Sequence, residues 1–95
     1  MALSISRNTR ILKIAVMPTV MRLGQFRFFF YSNENDEPRH VHITASENEA
    51  KYWLEPLEMS WNKGFNTREL SQIERHLGDN LDYLIEAWNE FFGSD

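Results

Sequence analysis

The chain has no cysteine, only three prolines and four glycines, and no apolar run long enough to span a bilayer. Without cysteine there can be no disulfide scaffold, no thiol nucleophile and no cysteine-ligated zinc, and the composition fits a reducing cytoplasm. A membrane helix needs about 18 or more apolar residues in succession, so no membrane association is expected. The apolar stretch at residues 11–17 is short and no small-residue cleavage site follows it, which argues against a secretion signal. Also missing are a phosphate-binding glycine loop, a G-x-S-x-G elbow and a dinucleotide fingerprint. A cytoplasmic domain without a cofactor is the expectation.

Positive charge is scarce in one region in particular. Residues 1–16 carry three basic and no acidic groups, residues 17–63 five against seven, and residues 64–95 two against seven. The C-terminal third would repel phosphate, so any contact with RNA must use the strand half or the basic tail. The same acidic third suits a basic protein partner.

What the chain does have is aromatic weight, with seven Phe, three Trp and three Tyr in 95 residues. Large rings let a short chain build a core and argue against disorder. The length fits one domain, residues 17–93, after an extension at 1–16. Within that extension, residues 11–16 read either as a short strand or as a segment preceding a start at Met17.

Alternation and turn residues predict strands at 19–23, 25–31, 39–44 and 49–54, with a short edge strand at 57–61. All are consecutive, which describes an antiparallel meander. The loop 32–38 is long and polar, the kind of segment that carries chemistry in small domains. Asn66 and Glu69 then form a capping-box pattern, with Phe65 and Leu70 as its hydrophobic staple. Apolar residues continue at helical spacing through Leu70, Ile73, Leu77, Leu81, Leu84, Ile85, Trp88 and Phe91 or Phe92. Gly78, Asp79 and Asn80 suggest a C-cap followed by a new start, giving a helix pair or one bent helix. His76 falls on the exposed side. An α+β domain with the helices on one sheet face is expected.

The centre of interest is His40-Val41-His42, because residues two apart on a strand share a face. If paired residue numbers sum to even values, both histidines join Phe28, Phe30 and Tyr52. If the sums are odd, they join Arg27, Phe29, Tyr31, Lys51 and Trp53. The odd register is favoured, since it gives Val41 and Ile43 to the apolar face that the helices cover. It is expected to require an irregularity in each hairpin.

Four chemical readings follow. His40 and His42 could act as general acid and base, with Arg27 and Lys51 holding phosphate and Tyr31 and Trp53 stacking bases, as in a metal-independent ribonuclease. With Glu37 the two histidines would supply three metal ligands. A plainer reading leaves the histidines hydrogen-bonded at the sheet surface and buries the aromatic face against a second copy, making a homodimer. In the same plain reading, Glu34, Asp36 and Glu37 are a solvated loop; the fourth reading gives these carboxylates a divalent ion.

Met17-Pro-Thr-Val-x-Arg22, Arg27-Phe-Phe-Phe-Tyr-Ser32, Glu37-Pro-x-His-Val-His42, Ala50-Lys-x-Trp-Leu54, Gly64-Phe, Glu69-Leu and Trp88-Asn-x-x-Phe92 together resemble a small prokaryotic family of unknown function. The resemblance spans residues 17–93 and leaves the extension without a role. Members are often encoded beside another small protein, in an arrangement like a toxin–antitoxin pair. The resemblance thus implies a toxin-like component with a small partner protein, and it implies no particular chemistry.

Overall fold

Five strands in consecutive order make one antiparallel sheet, followed by two helices. The computed structural model describes residues 18–34 and 36–93, and the strand considered at residues 11–16 lies outside them. The strands are β1 (Thr19–Leu23), β2 (Phe26–Phe29), β3 (His40–Ala45), β4 (Asn48–Leu54) and β5 (Leu57–Lys63). The helices are α1 (Thr67–Asp79) and α2 (Leu81–Phe92). The α+β meander expected from the pattern is the observed fold. β2 is shorter than expected and β5 longer. Among the described residues, no helix is long and apolar enough to cross a membrane.

Register follows from the turns. Ser46–Glu47 is a two-residue turn, so Ala45 pairs with Asn48 and every β3–β4 pair has an odd sum: Val41 opposes Tyr52 and His42 opposes Lys51. The long loop between β2 and β3 returns with the same parity, Phe28 opposing Ile43 and Phe29 opposing His42. The odd register therefore holds without a bulge between β3 and either neighbour. A two-residue turn itself sets odd sums, and the irregularity expected there is not needed. Register shifts occur instead where the outer strands pair, between Thr19 and Met21 of β1 and, for β5, opposite Lys51 and Tyr52.

The helix-facing side of the sheet carries Phe26, Phe28, Val41, Ile43, Ala50, Tyr52 and Leu54, packed with Phe30, Phe65, Ile73, Leu77, Leu84 and Trp88. Full burial of such a side chain is worth roughly 1.5–3 kcal/mol, and Phe28, Phe30, Ile43 and Leu54 are wholly buried. His76 belongs to this layer too. Contrary to the sequence reading, it is half-buried, with its ring edge-on to Phe26 and Phe28 at 6.0 and 6.3 Å.

The helix start obeys its sequence signal. Asn66 Oδ1 accepts from Glu69 N at 2.8 Å, while Glu69 Oε1 accepts from Asn66 N at 2.9 Å. Asn80 alone separates the two helices. Its amide side chain donates to His76 O at 2.8 Å, closing α1, and its carbonyl accepts the first bond of α2 from Leu84 N. Gly78 is thus inside α1, and the break falls at Asn80, within the 78–80 expected.

Candidate functional site

The face away from the helices is organised by a carboxylate lying between two imidazoles. Alternation along β3 turns His40 and His42 to this side, with Phe29 and Lys51 opposite His42 and Trp53 opposite His40. Two successive turns, Glu34 N to Tyr31 O and Glu37 N to Glu34 O, fold the β2–β3 loop back over them. Glu34 Oε1 then stands 2.7 Å from His40 Nε2 and 2.9 Å from His42 Nε2.

The other ring nitrogens are equally engaged. His40 Nδ1 meets the carbonyl oxygen of Pro38 at 2.8 Å, and His42 Nδ1 meets Glu49 Oε2 at 3.2 Å. Tyr31 donates its hydroxyl to that same Glu49 oxygen at 3.1 Å. Among the described residues no buried side-chain nitrogen or oxygen lacks a partner.

Aromatic rings wall the cluster. Phe29 stacks on His42 at 5.5 Å and Tyr31 meets it edge-on at 4.5 Å. Trp61 approaches His42 at 5.8 Å, while Trp53 and Trp88 lie 5.6 and 5.0 Å from His40. His40 is 0% and His42 1% exposed. The cover expected from a second copy is thus provided for these rings by the chain itself.

Burial sets the electrostatics. It pulls the His42 imidazole below its ordinary value, opposed by the hydrogen bond and charge of Glu34 and reinforced by His40. Burial alone would push Glu34 upward, but its hydrogen bonds to His40 and His42 and their charges outweigh that and hold the carboxyl low. The Tyr31 hydroxyl is raised by burial first and by Glu49 second.

The remaining sequence candidates occupy the rim. Lys51 Nζ donates to Glu37 Oε1 at 2.6 Å and sits 4.5 Å over the Trp53 ring. Glu37 thus neutralises Lys51 and lies 3.9 Å from His40 Nδ1, on the far side of that ring from Glu34. Of the acidic loop residues only Asp36 is exposed; Glu34 and Glu37 are half-buried and bonded. Arg27 donates from Nε to Thr19 Oγ1 at 2.6 Å and lies 4.4 Å over Phe29.

Sequence reasoning missed Glu34, Glu49, Trp61 and Trp88 as parts of this site. Glu49 was within reach, since it shares strand parity with Lys51 and Trp53. Trp61 was not, because the β5 irregularity shifts it into register with Lys51. Glu34 depends on the folding of the loop, which leaves no periodic signal.

Fold and site together define a small α+β domain with a buried imidazole–carboxylate–imidazole centre, in which Nε2 of His40, Nε2 of His42 and a Glu34 oxygen lie within hydrogen-bond reach. The chain belongs to the family described as domain of unknown function DUF4160, whose model matches residues 26–89. That span includes the whole centre, with Glu49 and Tyr31. No curated protein and no solved structure matches the chain.

Proposed function

We propose that this protein is the toxin-like component of a bacterial two-protein module and that it acts by binding a basic protein partner through its helical layer. The observation that carries this reading is the face of α2. Asp82, Glu86 and Glu90 are all exposed and recur every four residues, with Asp79 just before them. Like charges at that spacing destabilise a helix by about 0.2–0.5 kcal/mol per pair. None of the three has an ion-pair partner among the described residues. Tyr83 and Phe91, exposed by 51% and 40%, flank the stripe. Carboxylates beside exposed rings suit a partner that presents lysine or arginine on an apolar ground. The family resemblance, with its pairing of two small proteins, supports the same reading.

The test is co-expression with any small protein encoded beside this chain, followed by affinity capture. A complex that weakens as salt rises, and weakens further in Asp82→Asn/Glu86→Gln/Glu90→Gln, is expected. Failure to form a complex at low salt would sink the reading.

A second reading, acid–base cleavage of RNA, is favoured by the convergence of His40 and His42 on Glu34. In it the histidines exchange protons, Arg27 and Lys51 contact phosphate, and Tyr31 and Trp53 stack bases. It requires the loop to open, because both rings are buried. Purified protein that leaves RNA intact under all conditions would exclude it.

A further inference from the structure

We infer that His40, His42 and Glu34 form a binding site for one divalent transition-metal ion of the zinc, cobalt or iron(II) class. The argument begins on the outer sides of the two rings. A backbone carbonyl can only accept a hydrogen bond, so Pro38 O requires a proton on His40 Nδ1. The Glu49 carboxylate asks the same of His42 Nδ1, and it is itself held by the Tyr31 hydroxyl. Both imidazoles are thereby set in the tautomer that leaves Nε2 as a lone pair.

Those two lone pairs point at the same carboxylate oxygen, at 2.7 and 2.9 Å. Three electron-rich atoms facing one another repel, and a cation among them relieves that repulsion. The two rings stand with centroids 5.4 Å apart and both are buried from water. A single divalent ion resolves all three atoms together and is partly neutralised by Glu34.

The outer contacts match what metal-bound histidines require. Such rings donate their second N–H to a carbonyl or a carboxylate, which fixes the ring and raises its basicity. Here one ring has each kind of acceptor. The potential ligand atoms all lie within 4.8 Å of one another. Ligands about 2.0–2.1 Å from a tetrahedral ion stand roughly 3.4 Å apart, so ion entry would spread the Glu34 contacts by about half an ångström. Imidazole and carboxylate donors favour zinc, cobalt or iron over magnesium and calcium, which prefer all-oxygen sets. Three protein ligands leave an open position, as in hydrolytic centres. The ligand set differs from the one the sequence suggested: Glu34 takes the place of Glu37. This inference stands apart from the partner-binding reading, since it uses none of the acidic residues of α2.

The experiment is metal analysis of the purified full chain, then chelator treatment and titration with Zn²⁺, Co²⁺ and Mg²⁺. Expected is saturable uptake of one Zn²⁺ or Co²⁺ per chain, a visible Co²⁺ spectrum, a higher melting temperature, and no saturable Mg²⁺ binding. Glu34→Gln should lower affinity at least tenfold, and Glu49→Ala about 10–100-fold. Glu37→Gln should stay within about twofold of the wild type. Folding of each variant is verified by circular dichroism and cooperative melting. The inference is overturned if folded wild-type protein takes up no stoichiometric Zn²⁺ or Co²⁺, or if folded Glu34→Gln binds as tightly as the wild type.

Discussion

Gly64 shows how sharply one position can be specified. Its φ is +102°, a region that side chains rarely adopt, and an added Cβ would collide with the side chain of Asn48. Gly64→Ala should therefore lose about 1–3 kcal/mol in urea denaturation. In an Asn48→Ala background the loss should shrink without vanishing, because the clash goes and the backbone strain stays. Lys51 makes a second case. It is buried to 8% exposure and its ammonium is held by Glu37. Glu37→Gln leaves that cation with a neutral partner at the edge of solvent and should cost about 1 kcal/mol. At this scale the histidines were legible from their spacing alone. Their partners were only half so: Glu49 obeys strand parity, whereas Glu34 reaches the rings through two consecutive loop turns that no alternation encodes.

Among the elements, the helix ends were the most legible part of the chain. The capping box is local, so the residues that make it also announce it. Asn66→Ala should cost about 1 kcal/mol, read as a lower urea midpoint with an unchanged slope. The break between the helices was legible too, and it falls at Asn80, the last of the three residues that suggested it. Gly78 looks like a terminator, yet Asn80 closes α1 by bonding His76 O, and Gly78 remains helical with nothing near a would-be Cβ. Gly78→Ala should accordingly stabilise the protein by about 0.5–1 kcal/mol, opposite in sign to the change at Gly64. Irregular strands behave differently. The shifts in β1 and β5 lie on outer strands, where one missed pairing costs little, and nothing in the local sequence marks them. One of them decides that Trp61 faces His42.

For the molecule as a whole, the fold class was legible because two periodicities agree, consecutive alternating strands and helical spacing after residue 66, with a capping box marking where one gives way to the other. The sidedness of the sheet followed from where Val41 and Ile43 had to go, and Tyr52 lies on that same inner face. Its hydroxyl donates to Glu74 Oε2 at 2.8 Å, tying β4 to α1. Burial first, then the bond to Glu74 and its charge, raise the Tyr52 hydroxyl well above its ordinary value. A group whose folded value is raised holds its proton in the folded state after the unfolded chain has lost it. Its stabilisation is complete below the unfolded value, about 10 for tyrosine, and declines as pH rises beyond it. Tyr52→Phe should thus be less stable than the wild type by about 1 kcal/mol at neutral pH. Above about pH 10 the wild type should lose stability faster than the variant, so that the two curves converge. Chemical denaturation from pH 7 to 11 measures both curves. Parallel curves would mean that Glu74 does not hold the Tyr52 proton and that the sheet–helix contact rests on apolar packing alone.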